Sequence, residues 1–236
     1  MKWNKKFIYP KTMRSLVNGK RHYDIKEEKL PSVTTILAAT QSEEKRKSLA
    51  NWQARMGQQR ADRIRDLSAM RGTAMHTYLE GYINNTPHLD LTSLGQEAGR
   101  MANKVVESGL RDLEEVWGTE VTLYYPGLYA GQTDVVGIYN GRESIIDFKQ
   151  TNKPKQREWI GDYFVQLGAY AMAHNHVYGT KIQSGIILMC SKDGFFQKFE
   201  VFDKEFQGCQ HEFLRKVDQY HKNVPKTKEG QDTKNE

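Results

Sequence analysis

The rhythm of apolar and polar positions changes near the middle of the chain. In the first half, Leu49, Trp52, Met56, Ile64 and Leu67 fall roughly on one stripe, which predicts a long helix. A break is expected near Gly72, with helix resuming over 73–82. Ahead of it, residues 1–30 read as short extended pieces around the turn Asn18-Gly19. Pro31-Ser32-Val33-Thr34-Thr35-Ile36-Leu37 has the look of a capped helix start, and Ser42 can cap a helix whose first turn holds Glu43 and Glu44. Residues 94–117 form an amphipathic pattern that predicts one further helix. After that the texture becomes β-rich over 120–125, 130–139 and 143–150. A helix is expected over 158–175, strands over 185–190 and 195–202 joined across Lys192-Asp193-Gly194, and a closing helix over 204–221. The tail from Pro225 is polar and lysine-rich and reads as disordered. No internal repeat is visible. A helical half followed by three strands, a helix, two strands and a helix is an α/β order.

Composition narrows the classes. A chain of 236 residues can build one sizeable domain, or a domain with a helical extension. Its apolar content is 38% and its densest apolar run, Gly185–Cys190, is far too short to span a bilayer, so no membrane partner is expected. The basic N-terminus lacks the apolar segment of a secretory signal. Cys190 and Cys209 are too few for a disulfide framework or a four-cysteine iron–sulfur cluster. An intracellular, reducing compartment fits. The net charge of +6 favours a polyanionic partner without proving one. Its distribution says more, because residues 1–14 carry five cations and no acid. Arg55, Arg60, Arg63, Arg65 and Arg71 crowd the predicted helices, where a plain solvated face is the equal alternative.

The sharpest local signal is Asn140-Gly141, the preferred pair for a two-residue type I′ hairpin turn. With these as the loop, Tyr139 pairs with Arg142, and extending that register sets Asp134 opposite Asp147. Opposed residues share a face with Cβ atoms about 4.5–5.5 Å apart, and Lys149 joins them at the period of two. The alternate face holds Val135, Ile146 and Phe148, as a buried face requires. Two opposed carboxylates destabilise a sheet unless neutralised. Lys149 offsets part of this, and Mg²⁺ or Mn²⁺ would offset more. A solvated acidic cluster is the plainer alternative, and a one-residue slip would separate the pair. Carboxylates, a lysine and a hard cation are the parts of a phosphodiester-hydrolysing site.

Asp134 followed by Asp147-Phe148-Lys149 resembles the D…DxK signature of the PD-(D/E)XK nuclease superfamily. Gly72-Thr73-Ala74-Met75-His76 resembles the GxxxH motif of its RecB-like branch, and Gln166-Leu167-Gly168-Ala169-Tyr170 its QxxxY motif. Pro31–Leu37 resembles a segment near the start of mitochondrial genome maintenance exonucleases and their phage-encoded relatives. Order and spacing agree over roughly residues 30–190. One departure is Gln150, which stands where the family often carries threonine.

The resemblance implies a mixed central β-sheet flanked by helices on an αβββαβ core, with an N-terminal helical elaboration. Residues 1–118 would form an N-terminal segment and helical arch, 119–224 the core, and 225–236 a disordered tail. It implies a metal-dependent DNA exonuclease acting on single-stranded ends or flaps in replication, repair or recombination, expected as a monomer with one or two Mg²⁺ or Mn²⁺ ions, in a cytoplasm, a phage host's cytoplasm, or a mitochondrion if a transit peptide has been removed. A structure-specific endonuclease and a non-catalytic single-stranded DNA-binding module are the alternatives, and replication or recombination proteins are the conceivable partners. Metal ligands would be His76, Asp134, Asp147 and the Phe148 carbonyl. Lys149 would act with them, and Glu120 would orient a metal-bound water. Gln166 and Tyr170, one helical turn apart, would contact phosphate or sugar, although Tyr170 can equally pack helix on sheet. Ser32, Thr34 and Thr35 would hold a phosphate or act as plain caps. Arg55, Arg60 and Arg63 would follow a DNA backbone, with Trp52 and Tyr78 available for stacking.

Overall fold

A computed structural model describes residues 1–223. The central sheet has six strands in the order β1-β5-β6-β7-β8-β9: β1 (Lys2–Trp3), β5 (Leu113–Tyr125), β6 (Tyr129–Tyr139), β7 (Arg142–Thr151), β8 (Ser184–Ser191) and β9 (Phe196–Phe202). β5, β6 and β7 form an antiparallel meander, β7 and β8 run parallel, and β9 returns antiparallel. The parallel step needs a crossover, supplied by α5 (Gly161–Tyr178). This is the expected mixed α/β architecture.

Both faces of the sheet are covered. Val136, Ile145, Ile187 and Met189 lie in one core with Leu167 of α5 and Phe206 and Phe213 of α6 (Asp203–Asn223). Val135, Ile146, Phe148 and Leu188 lie in the other. They pack on Met75 and Leu79 of α3 (Gln58–Ile83) and on Met101 and Val105 of α4 (Ser93–Ser108). Each such side chain contributes about 1.5–3 kcal/mol on burial. The two sets alternate along β7 with period two, so its register is strongly specified.

A second, three-stranded antiparallel sheet is made of β2 (Met13–Val17), β3 (Lys20–Ile25) and β4 (Glu28–Pro31). Tyr23, Ile25 and Leu30 pack it against Tyr124 and Ala130 of the main sheet. Then follow α1 (Val33–Ala39), capped by Ser32, and α2 (Glu43–Met56), capped by Ser42.

Three helical expectations need correction. The break falls at Gly57, not near Gly72. Gly57 sits between α2 and α3 at φ 80°, a conformation that favours glycine, whereas Gly72 lies inside a continuous α3. The Leu49–Leu67 stripe faces no core: α2 buries no residue, and Leu49 and Leu67 are exposed. The helix expected over 94–117 ends at Ser108, capped by Gly109, and the chain enters β5 at Leu113. Leu110, Leu113 and Val116 continue the helical spacing by coincidence while packing from a 3₁₀ turn and a strand. The Pro225 tail lies outside the described residues.

Candidate metal and phosphate site

The β6–β7 hairpin follows the expected register. Asn140 and Gly141 take φ 47° and 72°, Tyr139 pairs with Arg142, and pairing continues to Val135 and Ile146. There the ladder stops, one step before Asp134 and Asp147. Instead of a backbone carbonyl, the Asp134 carboxylate accepts the Phe148 N–H through Oδ2 at 2.6 Å. The acid thus closes the end of the ladder with a charge-assisted hydrogen bond.

β5 brings in a third carboxylate. Thr119 pairs with Val135 and Val121 with Thr133, so Glu120 lies level with Asp134 on the neighbouring strand. Glu120 has φ 50°, which costs a non-glycine residue about 1–2 kcal/mol. Gln132 holds it there, donating to the Glu120 carbonyl at 3.0 Å and to Oε2 at 2.6 Å. Glu120, Asp134 and Asp147 therefore stand across three adjacent strands.

His76 reaches this row from α3. Its Nε2 donates to the Phe148 carbonyl at 2.9 Å, and its Nδ1 lies 3.3 Å from Asp134 Oδ1 and 3.8 Å from Glu120 Oε1. Both ring nitrogens face acceptors, so both carry protons. Burial pulls the imidazole pKa down, but the Asp134 charge and hydrogen bond, with Glu120, overcome it and raise the pKa to about 10. Burial also acts on Asp134, yet His76, Lys149 and the Phe148 N–H hold its pKa below the usual carboxylate range. Asp147 behaves oppositely. Its burial, with Asp134 nearby, outweighs the pull of Lys149 and raises its pKa to about 6. Lys149 pairs with Asp147 and lies 4.9 Å from the centroid of the Tyr163 ring.

These groups line a cavity of about 200 Å³. Gln166 and Tyr170 of α5 form another wall, with the Gln166 amide donating to the Tyr170 hydroxyl at 2.9 Å. Gly131 admits that ring, because a Cβ there would come within 2.6 Å of it. Ser32 and Thr34 reach the same cavity. Thr35 does not: it is buried, and its hydroxyl donates to the Arg21 carbonyl. Arg55, Arg60 and Arg63 are exposed on α2 and α3 and do not line the cavity. The Tyr78 hydroxyl bonds the backbone of Asp90, so it holds a loop.

Four further residues contribute to the site. Gln132 is two residues from Asp134 on the same strand, which places it on the same face. Tyr163 stands one helical turn before Gln166, a signal that was available. Arg14 and Arg21 line the cavity from β2 and β3, and no local pattern pointed there.

One ligand atom each from His76, Glu120 and Asp134 lie within 4.8 Å of one another, compatible with a shared cation. Two carboxylates and an imidazole suit Mg²⁺ or Mn²⁺ once the histidine proton is displaced. Asp147 lines the same cavity but is engaged by Lys149.

An αβββαβ core with D…DxK at the end of its central hairpin is PD-(D/E)XK-like. In sequence, the chain resembles mitochondrial genome maintenance exonuclease 1. It is 28% identical to the Xenopus tropicalis protein over 206 residues, covering 82% of this chain and 58% of that protein. It is 29% identical to the Homo sapiens protein over 178 residues, covering 70% and 50% respectively. The chain spans about half the length of these relatives. No protein-family model matches it. Among solved structures, a candidate exonuclease from Eubacterium rectale aligns with TM-score 0.45 at 12% identity, covering 63% of this chain and 68% of that one. The Laribacter hongkongensis alkaline exonuclease aligns with TM-score 0.29 at 15% identity, covering 64% and 82%. Overlaps this low carry no weight.

Proposed function

We propose that this protein is a metal-dependent DNA exonuclease that removes nucleotides from single-stranded ends or flaps. The observation that carries this reading is the convergence of three carboxylates, His76 and Lys149 on one cavity at the sheet's end. The sequence likeness to mitochondrial genome maintenance exonuclease 1 supports the same activity.

In this reading His76, Glu120 and Asp134 would hold the cation with Asp147 as a further oxygen, and the Phe148 carbonyl, which accepts from His76 Nε2, would join them only after the imidazole turns away. A bound Mg²⁺ or Mn²⁺ supplies Lewis acidity toward the phosphodiester. Lys149 places its ammonium against a non-bridging phosphate oxygen and stabilises charge as it develops there. Asp147 orients that ammonium, and Tyr163 limits its swing. Glu120, steadied by Gln132, accepts a hydrogen bond from the attacking water. Gln166 and Tyr170 meet the sugar or phosphate beside the scissile bond, and the Ser32 and Thr34 hydroxyls meet a neighbouring phosphate. Within residues 1–118 the segment between β1 and β5 serves as the cover, while β1 and the start of β5 extend the core sheet of 119–224. Within that cover, α2 and α3 present Arg55, Arg60 and Arg63 to the incoming strand.

Linear and covalently closed circular single strands test this, each incubated with Mg²⁺, Mn²⁺ or EDTA. The linear strand should shorten from an end in either metal and persist in EDTA, while the circle stays intact. Cutting of the circle would instead identify an endonuclease, and binding without cutting a non-catalytic module.

A further inference from the structure

We propose that the substrate strand crosses the site along the β2–β3 hairpin, with Arg14 and Arg21 gripping phosphates on opposite sides of the scissile bond. The inference rests on the nuclease reading above and adds a path to it.

Three neighbouring cavities share lining residues from this hairpin. Arg14, Glu120 and Gln132 line both the central cavity and a second one of about 540 Å³, which extends past Lys11 and Thr12. Arg21 and Thr34 line both the central cavity and a third one of about 810 Å³, which extends to Lys20 and Tyr220. Each outer cavity therefore shares one arginine with the central one, and both arginines line the cavity that holds the acidic centre. A chain of phosphates passing a reacting centre is suited by cations that reach beyond that centre in two directions.

The hairpin's register aims the arginines. Arg14 pairs with Tyr23 and Leu16 with Arg21, so Arg14, Arg21 and Tyr23 share one face. Tyr23 is buried against Tyr124 and Ala130, which fixes that face toward the main sheet. The Arg21 carbonyl accepts from the Ser32 N–H and the Thr35 hydroxyl, each at 3.0 Å, so the strand is tied to the start of α1. Both arginines are exposed, and among the described residues neither forms an ion pair. The carboxylates of the same cavity pair with His76 and Lys149 instead. Two guanidiniums that line a cavity without being ion-paired to its carboxylates are suited to bidentate phosphate contacts.

The test measures binding of a fluorescein-labelled single-stranded oligonucleotide to the full chain in EDTA, across a range of salt concentrations. Arg14→Gln and Arg21→Gln should each weaken binding several-fold and flatten the plot of log affinity against log salt by about 0.7. Arg14→Lys and Arg21→Lys should restore the slope but only part of the affinity, which separates a phosphate contact from a folding defect. Wild-type slopes in both Gln variants would overturn the path, as would flattening confined to Arg60→Gln and Arg63→Gln. A wild type that fails to bind would overturn it too. If the wild type binds with the predicted slopes but cuts nothing in Mg²⁺ or Mn²⁺, the path stands and the nuclease reading fails. If it cuts while the Gln variants keep their slopes, only the path fails.

Discussion

The two halves of α3 belong to one unbroken helix yet live in different surroundings. In the inner half, Arg71, Met75, Leu79, Gly81 and Ile83 are buried, and the helix presses against β7 and α4. In the outer half only Ala61 is buried, while Leu67 and Met70 are 41% and 57% exposed. The inner half places His76 beside Asp134, and the outer half carries Arg60 and Arg63. One helix thus serves as a rigid mount at one end and an open charged surface at the other. Packing partners make the difference, since a regular helix offers the same backbone at both ends.

The largest contrast should appear in stability. Leu79→Ala opens a cavity in a closed core and should cost about 2–5 kcal/mol in denaturant unfolding. Leu67→Ala, on the outer half, should stay within about 0.5 kcal/mol. Equal losses would mean that the outer half is packed too. In activity, Lys149→Ala should lower the rate of single-strand cleavage by about 10²–10³-fold while leaving oligonucleotide binding in EDTA nearly unchanged. Retained cleavage would remove Lys149 from the chemistry.

A smaller effect concerns His76 and pH. Its pKa in the folded, ion-free protein is raised to about 10, mainly because Asp134 outweighs burial. That proton therefore stabilises the fold fully below the unfolded pKa of about 6.5, and the contribution is lost as pH rises through about 10. A metal ligating the ring must displace the proton. Its apparent affinity, by calorimetric titration, should rise with pH by up to about tenfold per unit between pH 7 and 9. A flat profile would show that His76 is not a ligand. The smallest effect belongs to the outer half: Arg60→Gln and Arg63→Gln should lower the salt slope of binding by at most about 0.7 each, with no change in unfolding.

What the sequence made legible follows the range of the forces involved. Asn140-Gly141 dictates a turn, the turn dictates a register, and the register carries Asp134, Asp147 and Lys149 to one place. GxxxH and QxxxY supplied His76, Gln166 and Tyr170, which line the same cavity. The positive φ of Glu120 was not legible, because it depends on Gln132 and on how β5 meets β6. Residues 109–117 keep a helical spacing yet leave the helix, because apolar spacing alone does not separate a helix's end from a strand's beginning. The placing of Arg14 and Arg21 at the cavity depends on one small sheet docking on another, and nothing local announces that contact.

The central claim is that carboxylates on adjacent strands, with His76, form a cradle for a divalent cation. Crystals grown with Mn²⁺ and measured for anomalous scattering test it most directly. The account predicts a peak at about 2.0–2.2 Å from an Asp134 oxygen, within reach of His76 and Glu120 or Asp147. A peak that does not touch Asp134, or no peak at saturating Mn²⁺, would contradict it.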